Sequence, residues 1–92
     1  MSLADIALEA SSIAKKAGWT IKETRMARTG SIYIEIARKS SVSSEYVVIR
    51  VANHKQVYQR YLPVISIADG DRWLEELEEI LTQPYGDVGE IL

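Results

Sequence analysis

Isoleucine occupies every second position from 32 to 36, with Tyr33 and Glu35 between. Because successive side chains of a strand point to opposite faces, this alternation predicts a strand with one buried face and one face in water. The same two-residue period returns in residues 46–52, where Val47, Ile49 and Val51 share a face. Two such strands need an apolar layer over their common face, so we expect a sheet covered on one side.

Two further segments complete the predicted sheet. In residues 19–27, Trp19 and Ile21 point one way and Lys22 and Thr24 the other, before the turn signal at Gly30. Residues 64–68 are short and rich in β-branched side chains, which is typical of a strand at a sheet edge. The pattern predicts a three- to four-stranded antiparallel sheet.

Helical periodicity flanks the strands at both ends of the chain. Ser2 and Asp5 have the spacing of a capping box, and apolar residues then recur at three- and four-residue steps until Gly18. A second helix, capped by Asp69 or Asp71, would follow residue 68 and end before Pro84. Its apolar stripe consists of Trp73, Leu74, Leu77, Ile80 and Leu81. The predicted class is therefore α+β, with an N-terminal helix, a sheet and a C-terminal helix.

The length of 92 residues fits one domain spanning 1–92, in which 83–92 is a weakly patterned tail. The chain contains no cysteine, which excludes disulfides and thiolate chemistry. Neither a signal-peptide pattern nor an apolar run of about 20 residues occurs, so we expect a cytoplasmic protein. Residues 53–62 fit either a short helix or a long loop.

Charge is distributed unevenly along the chain. Residues 1–68 contain ten Lys or Arg and five Asp or Glu, whereas residues 69–92 contain one and eight. The first part therefore carries a net charge of +5 and the second part a net charge of −7. Four acidic residues of the second part lie on the predicted last helix. A cationic surface on the first part could contact phosphates, an acidic protein or the chain's own acidic helix.

If both helices cover the isoleucine face, the opposite face presents a mixture of aromatic and charged side chains. These are Lys22, Thr24, Tyr33, Glu35, Tyr46, Val48 and Arg50. Tyrosines beside cations can stack on bases and contact phosphates. They can equally stabilise a sheet exposed to water or contact a second subunit. The pattern leaves these interpretations open.

The segment 50–61 is basic and aromatic and has no acidic residue. Its candidate binding residues are Arg50, His54, Lys55, Tyr58, Arg60 and Tyr61. His54 is the single histidine, and the sequence shows neither a nucleophile nor an orienting group for it, so an exposed or capping role is expected. No phosphate-binding glycine loop or metal-ligand motif occurs, and we expect neither cofactor nor metal.

The order of one helix, three meander strands and a final helix resembles the double-stranded RNA-binding domain fold, which is shared by small bacterial toxins that cleave messenger RNA. Where that RNA-binding family has a lysine cluster, this chain has Asp69, Asp71, Glu75 and Glu76. Residues 31–36 and 46–54 are similar to small uncharacterised phage and bacterial proteins. That similarity implies a mobile-element setting.

Together these features predict a non-enzymatic binding or assembly module. The expected partner is another protein or a second copy of the chain, bound through the open sheet face, including Lys22, Tyr33 and Tyr46, and through segment 50–61. The alternative is a nucleic-acid-binding module of a phage or mobile element. A small nuclease-like enzyme using His54 is the third hypothesis.

Overall fold

The computed structural model describes residues 2–53, 63–68 and 73–88 of the chain. Their elements are α1 (Leu3–Lys16), β1 (Thr20–Met26), β2 (Ile32–Lys39), β3 (Ser44–Ala52), β4 (Val64–Ala68) and α2 (Trp73–Leu81). The predicted α+β class and the order of helix, strands and helix are confirmed.

The four strands form one sheet in the order β1-β2-β3-β4. The first three strands are antiparallel, as the sequence predicts, but β4 runs parallel to β3. A parallel neighbour needs a crossover connection instead of a tight turn, and the alternation pattern contains no signal for strand direction. The sheet is therefore mixed, with β4 beside β3 at the end opposite β1.

Both helices pack on the face of the sheet that carries the isoleucines, which we call the helix face. Ile34, Ile36 and Ile49 have no exposed surface, and Leu77 and Leu81 of α2 belong to the same core. From α1, small alanines such as Ala10 and Ala14 lie fully buried, which lets the helix approach the strands closely. The opposite side of the sheet is the open face.

The ends of α1 follow the sequence signals closely. The Ser2 hydroxyl accepts a hydrogen bond from the Asp5 N–H at 3.1 Å, and the Asp5 carboxylate accepts one from the Ser2 N–H at 3.4 Å. At the other end Gly18 has a φ of 93°, which favours glycine, and Trp19 N–H donates to the Ala14 carbonyl. This Schellman arrangement ends the helix and directs the chain into β1.

A buried hydrogen bond connects the beginning of β1 with the end of α2. The Trp19 indole N–H donates to the Leu81 carbonyl at 2.9 Å, and the Trp19 side chain is 3% exposed. This bond satisfies one of the carbonyls left without an intrahelical partner at the helix C-terminus. It joins residues 62 positions apart and so fixes α2 relative to the sheet.

The segment after α2 is held by a polar cluster at the β2–β3 end of the sheet. Arg38 donates to Glu45 at 2.6 Å and to the Pro84 carbonyl at 2.8 Å, and its guanidinium lies 4.5 Å from the centre of a Trp19 ring. The other Glu45 oxygen accepts from the Gly86 N–H at 3.1 Å. Val88, in the segment that the sequence left weakly patterned, is fully buried in the core.

Several sequence-based expectations lie outside the described residues. They are the caps at Asp69 or Asp71 and the choice between helix and loop for most of 53–62. In the described part of the chain, neither helix has the length and apolar character required to span a membrane.

Two leucines of α2, Leu74 and Leu77, differ in exposure and provide a matched test of this packing. Leu77→Ala should lower the free energy of unfolding by about 2–5 kcal/mol, because it removes a side chain that is 1% exposed and leaves a cavity. Leu74→Ala, at a position 43% exposed in the same helix, should cost under about 1 kcal/mol. Urea unfolding monitored by circular dichroism measures both, and equal losses would contradict the assigned helix orientation.

Candidate protein-interaction surface

A β-bulge in β1 decides which of its side chains lie on which face. Ile21 pairs with Ile36 of β2, but the next registered pair is Glu23 with Glu35, so Lys22 is an extra residue in β1. Beyond the bulge the strand continues regularly to Met26, which pairs with Ile32. One inserted residue moves every later side chain of the strand to the opposite face of the sheet.

The bulge corrects the predicted composition of the open face. Thr24 pairs with Ile34 and therefore lies on the helix face, whereas Glu23 and Arg25 take positions on the open face. Lys22 is exposed at the bulge itself and is not part of a regular row of side chains. The sequence prediction placed Lys22 and Thr24 on the open face because it assumed an unbroken two-residue period.

Charged side chains surround Tyr33 on the open face. The Arg25 guanidinium lies 5.7 Å from the centre of the Tyr33 ring, and Glu23 stands directly opposite Glu35 on the neighbouring strand. These four residues and Val48 line a depression of about 200 Å³. Tyr46, 41% exposed, lies further along the same face. The described surface is thus mixed in charge rather than basic.

The β3 side of this face is not open. Val48 and Arg50 are 6% and 5% exposed, although they lie on the side of the sheet opposite the helices. The Arg50 guanidinium donates to the Ser66 hydroxyl of β4 at 3.4 Å. The sequence predicted both residues as part of an exposed surface, but burial leaves them little area for an outside partner. The surface available for contact is shifted towards β1 and β2.

Strand β1 is exposed on both of its faces. Six of its seven residues are exposed, and Ile21 is the exception. Within the described parts of the chain no strand pairs with its outer edge. Free N–H and C=O groups along such an edge can hydrogen-bond with another strand.

An apolar groove runs between α1 and β1 on the helix face. Its walls are Ala4, Ala7, Leu8 and Ser11 of α1 and Thr24, Met26 and Ile32 of the sheet, and its volume is about 420 Å³. Leu8 is 70% exposed and Met26 is 68% exposed. We call this feature the α1–β1 groove. Sequence periodicity missed it because a regular strand would place Met26 and Ile21 on opposite faces.

The described residues offer little for metal or acid–base chemistry. They contain no group of three or more His, Cys, Asp or Glu side chains arranged to hold a metal ion. The predicted binding residues of the basic segment other than Arg50 lie outside the described residues, so the structure leaves them as predictions. They are His54, Lys55, Tyr58, Arg60 and Tyr61.

No protein-family model, curated protein or solved structure matches the chain. The element order α-β-β-β-β-α contains the α-β-β-β-α order expected from the topological resemblance, with one more strand.

Arg25 and Arg50 lie on either side of Tyr33 on the open face but differ in exposure. Substituting each of them tests this difference. Arg50→Ala should lower the free energy of unfolding by about 2 kcal/mol or more, because it removes a buried, hydrogen-bonded side chain. Arg25→Ala, at an exposed position, should change it by about 0.5 kcal/mol or less. Urea titration at low protein concentration compares them, and a stability of Arg50→Ala equal to wild type would contradict the buried placement of Arg50.

Proposed function

We propose that this protein is a non-catalytic assembly module that self-associates through the β1 side of its sheet. The observation that carries the proposal is the exposure of β1 on both faces, beside the α1–β1 groove and at an edge with which no described strand pairs. A second copy can cover this surface without any other molecule. Closed two-fold dimers are the commonest homo-oligomers.

The α1–β1 groove supplies a driving force for association. Fully burying an exposed Leu or Met side chain contributes about 1.5–3 kcal/mol. A two-fold dimer that covers the groove would bury Leu8 and Met26 from both copies. Strand pairing would add backbone hydrogen bonds and set the orientation of the partner.

This proposal retains the self-association expected from the sequence but changes its location. The sequence analysis assigned the contact to the open face and segment 50–61, whereas Val48 and Arg50 are buried. Tyr33, Tyr46 and the exposed part of the open face would then flank the interface rather than form its centre. No catalytic role is proposed, and the enzyme hypothesis still depends on His54 alone.

Nucleic-acid binding is less well supported by the described surface. Glu23 and Glu35 lie beside Arg25 and Tyr33, and carboxylates repel the phosphates that dominate nucleic-acid affinity. The resemblance to the double-stranded RNA-binding fold is one of topology, and it does not supply a basic surface here. Tight, salt-sensitive binding of RNA or DNA oligonucleotides by the wild-type protein would favour this alternative.

Sedimentation of groove variants tests the proposal. The wild-type chain of 10.3 kDa should sediment as a dimer at micromolar concentration. Leu8→Glu or Met26→Glu should weaken that dimer about tenfold or more, because a charged side chain would have to be desolvated in the interface. Circular dichroism should show that both variants keep the fold.

Val42→Glu is the matched control for these variants. Val42 is 91% exposed on the β2–β3 hairpin and belongs neither to β1 nor to the α1–β1 groove, so its substitution should leave the dimer unchanged. A wild-type protein that remains monomeric at high concentration would contradict the proposed function.

A further inference from the structure

We infer that two copies pair their β1 strands antiparallel, with Thr24 on the two-fold axis and Glu23 of each copy opposite Arg25 of the other. This inference deepens the proposed self-association and rests on it. It specifies the partner, the strand register and the side chains that select that register.

The hairpin after β1 shows which backbone groups of the strand point outward. Ala27 N–H donates to the Ser31 carbonyl at 2.8 Å, so the N–H and C=O of Ala27 point towards β2. These groups alternate in direction along an antiparallel strand. The backbone groups of Arg25 therefore also point towards β2, whereas those of Thr24 and Met26 point to the outer edge of β1.

Only some registers allow these outward groups to meet. Each outward-pointing residue of one copy must stand opposite an outward-pointing residue of the other to form a hydrogen-bonded pair. With the axis at Thr24, the two Thr24 residues form the central pair, and Met26 stands opposite Lys22, the bulge residue at which the regular alternation of β1 ends. The intervening positions are non-hydrogen-bonded pairs, whose side chains come closer together.

The charges on the open face distinguish this register from its neighbours. An axis at Thr24 places Glu23 opposite Arg25 of the second copy, and symmetry repeats this pair. Moving the axis by one residue places Arg25 opposite Arg25 or Glu23 opposite Glu23. Opposite charges directly across a strand pair stabilise it and like charges destabilise it. The sequence around Thr24 is therefore complementary to itself in one register.

The second copy would also relieve a repulsion present in the single chain. Glu23 stands opposite Glu35 on β2, an unfavourable like-charge pair. In the dimer, Arg25 of the second copy lies on the other side of Glu23, in the same row of side chains. The row of side chains then runs from Glu35 through Glu23 to Arg25 of the second copy, so a guanidinium lies next to the two carboxylates.

The bulge limits the length of the shared ladder. Bulges and lysines commonly protect sheet edges from extended pairing, and Lys22 supplies both features at one end of β1. Pairing is therefore confined to residues 22–26. Since the axis runs perpendicular to the sheet, the α1–β1 grooves of both copies lie on the same face beside it, where Leu8 and Met26 can be buried together.

Charge reversal tests the register directly. Glu23→Arg alone should raise the dimer dissociation constant roughly tenfold, because it places two arginines opposite each other at two symmetric positions. Arg25→Glu alone should weaken the dimer to a similar extent. The double variant Glu23→Arg/Arg25→Glu should recover the wild-type dissociation constant, because both pairs are reversed in sign.

Mixing the two single variants provides an independent measurement that does not require the double variant to fold. A heterodimer of Glu23→Arg with Arg25→Glu has opposite charges at both positions, so the mixture should dimerise more tightly than either variant alone. Sedimentation of the mixture, with one variant fluorescently labelled, measures this. Circular dichroism of each single variant checks the fold.

The outcomes separate this inference from the proposed function. A wild-type dimer that neither single variant weakens would overturn the register but leave self-association intact. Weakening without recovery in both the double variant and the mixture would also overturn it. A wild-type protein that is monomeric throughout would overturn the inference and the proposed function together.

Discussion

Burial of one sheet face beneath two helices is the constraint on which the rest of the structure depends. Ile34, Ile36 and Ile49 are fully buried on that face, and Leu77 brings α2 into the same core. Because strand side chains alternate, burying the isoleucines fixes the direction of every neighbour on β2 and β3. The open face and its charged residues follow from the packing of the core.

The bulge at Lys22 distinguishes β1 from the other strands, because it changes which of its side chains lie on each face of the sheet. It places Thr24 and Met26 on the helix face, where α1 leaves a groove, and Glu23 and Arg25 on the open face. The strand thereby presents an apolar side and a charged side next to an edge that no strand of the described residues covers. The proposed pairing with a second β1 strand uses all three of these properties. The β3 side of the open face, by contrast, is buried and offers little surface for contact.

Much of this fold could be predicted from the sequence, because capping and periodicity are local signals. The Ser2–Asp5 capping box and the alternation of β2 correspond to observed structure. The stripe of α2 does so except at Leu74, which is 43% exposed because it lies beside the buried row of Trp73, Leu77 and Leu81. The sequence does not show which β1 side chains lie on which face of the sheet, because Lys22 to Arg25 include no apolar residue that would reveal a two-residue period. Ile21 and Met26 lie on the same face despite their odd spacing, and this is the one trace of the bulge. The parallel direction of β4 and the burial of Arg50 depend on contacts distant in sequence.

Disulfide trapping tests the pairing of β1 strands most directly, because the chain has no cysteine of its own. A central hydrogen-bonded pair has Cα atoms about 5.5 Å apart, within the range that a disulfide can span. Under mild oxidation, Thr24→Cys should form a covalent dimer rapidly at concentrations where the wild type is dimeric, and Val42→Cys should not. Cross-linking of Thr24→Cys no faster than that of Val42→Cys would contradict the account.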